Sequence, residues 1–314
     1  YITNMDPVNG RDAYTNFGYM VEIDPMTQKP IQKLYSMGRF MHEDAHCMDD
    51  GRTVYLTDDF PSAFFYKFVA DQLGDYSKGA LFAYKQSEDG ESGTWIPIPG
   101  DTASLIETRK FAVEGGATLF QRHEWLAESN GKLYIAETGN AEYDWTEKID
   151  AGCTPSKHYA ENFHIGSNKY SDVFGRILEF DPATDKMRSY LEAGQDPNDS
   201  STIFSNPDCA EIMTFDGNDY LVICEDIDWY DLGRVPAHVE AAKRFVNEVY
   251  FLPMHIENPT VSDLLRFAIG PKGSETTGAY FTPDGKTMFL NIQHPYVHNS
   301  RPFNRSCTVA ITGF

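Results

Sequence analysis

No apolar run in this chain approaches the ~18 residues that a membrane-spanning helix needs, which argues against helical membrane insertion. The chain opens on Tyr1 rather than Met and shows no signal peptide there, so it is expected to be processed or truncated. Cysteine is sparse: Cys47, Cys153, Cys209, Cys224 and Cys307. No two of them have CxxC spacing, which disfavours a zinc ribbon or a thioredoxin motif. The odd count leaves at least one thiol unpaired. One or two disulfides would suit an oxidising compartment, but the pairing cannot be read from spacing. Basic residues are also few, 26 Lys and Arg against 47 Asp and Glu, a net charge of −21. That balance makes nucleic acid and anionic membrane surfaces poor partners. A Gly-x-Ser-x-Gly elbow, a P-loop and a dinucleotide fingerprint are all missing. Asp226-Ile227-Asp228 is too short for an EF-hand loop. A serine-nucleophile hydrolase therefore has no support.

What the 314 residues do contain is aromatic, 14%, and strand-like. Four runs share one design: a turn residue, an apolar strand, then polar or acidic residues at the exit. Gly51–Thr57 runs into Asp58 and Asp59, Gly131–Ala136 into Glu137, and Asn218–Cys224 into Glu225 and Asp226. The strand after Gly285 runs into Gln293 and His294. A second repeat is nearly literal: Gly18–Lys29 matches Gly175–Lys186, each a strand closed by an Asp-Pro turn. Repeated strand–turn–strand units predict an all-β fold, a β-propeller. Blades of ~40–50 residues give about six of them, the first expected incomplete. Segments 141–172 and 191–206 read as long polar rim loops. Pro236–Val246 is the best helix candidate, a short helix on the rim. Without a linker or a low-complexity tract, residues 1–314 are expected to form one domain.

In a propeller, innermost strands converge, so acids at their ends meet. Like charges cannot gather in a confined site without help, and metal ions are the usual remedy. The candidates are Glu43, Asp58, Asp59, Glu124, Asp208, Glu225, Asp226, Glu275 and His294. Any one of them is as well explained by a solvated turn; the recurrence at strand termini is what favours metal. Arg122 and Glu124 stand two apart, which on extended backbone puts both side chains on one face. An arginine beside a metal ligand can hold a phosphate oxygen pair in bidentate fashion. The competing reading is a surface ion pair worth under ~1 kcal/mol. His42, His46 and His123 are expected to be structural.

Several segments resemble the PhoX-type alkaline phosphatases in order and wording. They are Asn16–Pro25, Gly38–Glu43, Tyr55–Asp59 with Tyr66–Val69, Gly93–Pro97, Arg122–Trp125, Asn206–Asp208 and the block from Glu275 to Pro295. The likeness spans essentially the whole chain. It implies a β-propeller phosphomonoesterase, periplasmic or secreted, with calcium and iron at the channel mouth and phosphate-ester small molecules as substrates. It implies Glu43 and Glu124 as metal ligands, with Asp208, Glu225, Asp226 and Glu275 as further ligands. Arg122 matches the phosphate-binding arginine; Arg122 and Glu124 are expected to be catalytic, and Arg122 with His294 to bind substrate. The resemblance also implies that a Thr-Cys-Glu-Glu segment ahead of residue 1 supplies a cysteine bridging the irons. None of the five cysteines lies in such a segment, and His123 and Tyr296 stand where the family has Pro and Gly. The alternative is a non-catalytic, calcium-stiffened propeller with a structural or extracellular role. A calcium-dependent lactonase-type propeller is a third reading.

Overall fold

The computed structural model describes residues 17–196, 198, 203–227 and 246–314. They fall into two compact units, Tyr1–His123 with Asp144–Tyr170, and Glu124–Tyr143 with Ser171–Phe314. The fold class is all-β, and its up-and-down antiparallel sheets are of the propeller kind. The helix expected over Pro236–Val246 lies, but for Val246, outside the described residues.

The first unit opens with a ribbon, Val21–Asp24 against Lys29–Lys33. A five-stranded meander follows in chain order: His42–Cys47, Thr53–Asp58, Tyr66–Gln72, Asp75–Gln86 and Gly93–Ile98. Its core explains the aromatic composition. Phe40, Phe64, Phe65, Tyr66, Phe68, Tyr84 and Phe120 are all fully buried. Phe40 stacks on Tyr66 with ring centroids 4.2 Å apart, an offset contact that adds to the area buried.

Two helices that the strand repeats do not foretell, Thr102–Ile106 and Thr108–Glu114, follow this meander. Their signal is present in the sequence. Asp101 caps the first, accepting from the Ser104 amide at 3.1 Å. Leu105, Thr108 and Ala112 recur on one buried face at helical spacing. The expectation that 141–172 is loop also needs correcting. This stretch holds the helices Thr146–Asp150 and Lys157–Asn162. Aromatic burial is the cause: Trp145 is fully buried, stacks on Tyr170 at 4.6 Å and donates through Nε1 to the Pro61 carbonyl at 3.0 Å. The 191–206 segment is closed by a short pairing, Gly194 with Phe204 and Gln195 with Ile203.

Besides that short pairing, three larger sheets lie in the second unit. The first has the order Lys186–Glu192, Arg176–Asp181, Lys132–Glu137, His123–Ser129. The next is a meander of Pro207–Phe215, Asn218–Glu225, Glu248–Pro253 and Leu265–Ile269. The last joins Glu275–Phe281, Thr287–Gln293 and Cys307–Thr312. In the second of these, burial falls from the first strand to the last: Pro207–Ala210 are buried, whereas Leu265, Arg266, Phe267 and Ile269 are exposed. In this meander the first strand is therefore more buried than the last.

The literal sequence repeat is also a conformational repeat. Asp24 accepts from the Met26 amide and the Thr27 hydroxyl, both at 2.8 Å. Asp181 accepts from the Ala183 amide and the Thr184 hydroxyl, both at 2.9 Å. Gln28 and Asp185, at the same place in each turn, take left-handed φ of 57° and 54°. An Asp side chain that bonds the backbone two residues on is what makes such a turn cheap to form.

The exit acids of the second strands turn out to hold the fold. Glu137 is fully buried and accepts from Arg176 Nε at 2.5 Å, while Arg176 Nη1 donates to Ser189 Oγ at 2.7 Å. Asp58 is fully buried, pairs with Arg109 and accepts from the Phe64 amide. Burial pushes the Asp58 carboxyl up to about 6, against the pull of the Arg109 guanidinium. Glu225 accepts from the Ser205 amide at 2.8 Å and the Glu248 amide at 2.9 Å. Burial, reinforced by the nearby Glu248 charge, raises its carboxyl well above the usual carboxylate range.

Two outcomes follow. Arg176→Ala leaves Glu137 buried and unpaired, and should cost about 3–5 kcal/mol in urea denaturation. A cost under ~1 kcal/mol would mean that the pair behaves as a surface ion pair. Asp58 binds its proton more tightly folded than unfolded, so it contributes stability at low pH that is lost as pH rises from about 4 to about 6. Asp58→Asn should flatten that part of the stability–pH curve; an unchanged slope would show that Asp58 does not titrate there.

Candidate functional site

The first strand of each main sheet carries an acid at its first or second residue. Glu43 is the second residue of His42–Cys47, Glu124 the second of His123–Ser129 and Asp208 the second of Pro207–Phe215. Glu275 is the first residue of Glu275–Phe281. The backbone prepares this placement. Two residues before Glu124, Asp208 and Glu275 the chain turns left-handed: Arg122 at φ 50°, Asn206 at 53° and Gly273 at 68°. Glycine enters that region freely and asparagine with little cost, but arginine rarely does. Residues held in sparsely populated backbone regions cluster where function needs them. His294 is a further case, exposed, with φ 52°.

In the first unit, carboxylate oxygens of Glu43 and Asp59 lie within 4.8 Å of each other. Glu43 is exposed and Asp59 half-buried. Asp59 Oδ1 also accepts from Arg122 Nε at 2.9 Å. The Asp59 amide donates to the Met41 carbonyl at 2.9 Å, and the Arg122 amide to the Phe60 carbonyl at 2.9 Å. The arginine is thus fixed at both backbone and side chain. Its left-handed φ corrects the expectation that Arg122 and Glu124 share a face of extended backbone, because that rule holds only for a strand. The carboxylate that orients the guanidinium is Asp59, which the sequence offers only as a strand-exit acid.

The two histidines nearest these acids are structural. His42 stacks on Phe40 at 3.6 Å and donates from Nε2 to the Gly38 carbonyl at 3.2 Å. Burial pulls its pKa down to about 4, so the ring is neutral at neutral pH. His123 is fully buried against Phe120, ring centroids 4.4 Å apart.

In the second unit, Glu124 is 2% exposed and Asp208 5%. The Thr138 hydroxyl donates to the Pro207 carbonyl at 2.7 Å, while Asp208 and Glu275 each receive a hydrogen bond from a neutral side chain. Thr138 Oγ1 lies 3.3 Å from Glu124 Oε1, Thr277 Oγ1 donates to Asp208 Oδ2 at 3.1 Å, and Gln293 Nε2 donates to Glu275 Oε2 at 2.8 Å. Such donors orient a carboxylate without neutralising it. Asn206, fully buried, ties the entry to the Asp208 strand by donating to the Thr138 carbonyl at 2.8 Å. The half-buried Asp226 donates its amide to the Asn206 carbonyl at 2.9 Å, as Asp59 does to Met41. Glu225, one residue earlier, spends both oxygens on backbone amides. The exit positions therefore divide: the last strand residue anchors the sheet, and the next one faces the entry of the first strand.

All-oxygen donors suit hard cations such as calcium. The Glu43–Asp59 pair, two carboxylates this close in one unit, meets that chemistry. Among the described residues no helix is long and apolar enough to cross a membrane. All five cysteines are free thiols: Cys47 and Cys307 exposed, Cys153, Cys209 and Cys224 buried.

No curated protein sequence matches this chain. Among solved structures, the chain is similar to Pseudomonas fluorescens PhoX in complex with vanadate, a transition state analogue. The two share 27% identity at a TM-score of 0.68, over 94% of this chain and 57% of the other. This chain thus spans little more than half the length of that protein. The endo-arabinase from Bacteroides thetaiotaomicron aligns with 12% identity and a TM-score of 0.40, over 88% of this chain and 76% of its own, and that weak likeness adds nothing to the assignment. The family model described as alkaline phosphatase PhoX matches residues 4–296. With that match over nearly its whole length, the chain belongs to the PhoX alkaline phosphatase family.

Proposed function

We propose that this protein, acting as one phosphatase domain over residues 1–314, is a metal-dependent phosphomonoesterase of an exported compartment. The observation that carries the reading is the repeated placement of an acid at the head of the first strand of each main sheet, in a chain that belongs to a phosphatase family. Glu43, Asp59, Glu124, Asp208 and Glu275 would hold the cations, with Asp226 as a further oxygen donor. Calcium fits these donors directly. Iron joins if a bridging thiolate is supplied. Glu225, expected to ligate, acts through the backbone of the same strand exit.

When bound, the cations would supply Lewis-acid polarisation of the phosphoryl oxygens and offset their charge. Arg122 binds the phosphoryl group: the Asp59 carboxylate fixes its Nε and so sets the plane of the guanidinium fork. Its left-handed backbone holds it in position before substrate arrives, which saves reorganisation during the reaction. Glu124, buried at the head of its strand, would contribute negative charge to hold a cation. His294, exposed just after the Thr287–Gln293 strand, would bind substrate. Vanadate in the Pseudomonas fluorescens protein supports a phosphoryl-group ligand.

p-Nitrophenyl phosphate hydrolysis should fall to background on chelation and return with added metal. Turnover unchanged after the metals are stripped would overturn the reading. Arg122→Ala should lower kcat/KM by ~10²-fold or more and weaken inhibition by inorganic phosphate. Normal phosphate inhibition in that variant would remove Arg122 from the site. A calcium-stiffened, non-catalytic propeller would instead lose thermal stability on chelation while never turning over the ester.

A further inference from the structure

Cys209 and Cys224 lie outside the chemistry proposed above, and both are fully buried. They sit on adjacent antiparallel strands, Pro207–Phe215 and Asn218–Glu225. Ala210 pairs with Ile223 and Pro207 with Glu225, and the register shifts between them, so Cys209 and Cys224 lie at an irregularity between these two pairs. The two thiols are within hydrogen-bonding reach of each other. Both pack into one apolar cluster with Met213, Val222, Val249 and Met288. The Cys209 sulfur also accepts from the Ala279 amide at 3.4 Å, which fixes its direction. Neighbouring strands lie about 4.8 Å apart, inside the range of about 4.4–6.8 Å between Cα atoms that a disulfide spans.

We propose that Cys209 and Cys224 are a modification site: they close into a cross-strand disulfide when the chain folds under oxidising conditions. The co-reactant is a thiol–disulfide oxidant, either a small disulfide or a protein disulfide donor. One cysteine thiolate attacks a donor sulfur and expels one donor thiolate. The other then attacks the cysteine sulfur of the mixed disulfide and expels the second. Two electrons pass to the donor, and the two protons lost by the cysteines are taken up by its thiolates. Because the native sulfurs have no solvent exposure, the exchange happens while the strands are pairing, before the core closes over them. The closed link would cross-brace the strand that carries Asp208 to the strand that ends with Glu225. The inference does not depend on the phosphatase reading.

The test is to refold the reduced, full chain with oxidised glutathione, then denature, alkylate without reductant, digest and map the peptides by mass. The expected result is a Cys209–Cys224 linked pair, lighter by two hydrogens than the reduced peptides, with Cys47, Cys153 and Cys307 alkylated. The same pair should form in Cys47→Ala/Cys307→Ala, which removes the exposed thiols that could link separate molecules. Five alkylated cysteines, or links that avoid this pair, overturn the proposal.

Discussion

Carboxylates removed from water govern this molecule. An acid-rich chain that buries Asp58, Glu137, Glu124, Asp208 and Glu225 must provide each with a compensating partner, because an ionised carboxylate in apolar surroundings otherwise gives up its charge. The chain does so in two ways. At the ends of second strands the partner is internal: Arg109 for Asp58, Arg176 for Glu137, backbone amides for Glu225. At the heads of first strands, the Thr277 hydroxyl and the Gln293 amide donate to Asp208 and Glu275 and hold them in direction. The first arrangement stabilises sheets, and the second suits a cation brought from outside.

The same division explains why fold and site interlock. The amide that follows two of the anchoring acids reaches back to the entry of the sheet's first strand, Asp59 to Met41 and Asp226 to Asn206. An exit acid that holds its sheet therefore also sets the approach of the acid at the head of the first strand. Arg122 adds a positive charge at one such entry, locked by Asp59 and by a backbone conformation that arginine avoids elsewhere.

Much of this is legible in the sequence. The turn-strand-exit runs end where the strands end, at Asp58, Glu137, Glu225 and Gln293, because glycine and Asp-Pro turns act locally. The repeat at Gly18 and Gly175 keeps its Asp-capped turn for the same reason. Partition between neighbouring acids is not legible, since Asp58 and Asp59 differ only in which face of the strand exit they occupy. Nor is the role of Asp59 as the partner of Arg122, a contact between residues 63 apart. The helices after Asp101 carry a cap and a buried stripe, yet periodicity over so few residues competes poorly with surrounding strands. The packed stretch at Trp145 reads as polar loop because three aromatics supply its core, not a repeating pattern.

The most direct test of the central claim is metal content by elemental analysis of the purified chain, compared with a Glu43→Gln/Glu124→Gln/Asp208→Asn variant that folds to the same circular-dichroism spectrum. Each substitution keeps shape and removes charge. The account predicts bound divalent cation in the wild-type chain and its loss from the variant. Equal metal content in the two proteins would contradict it.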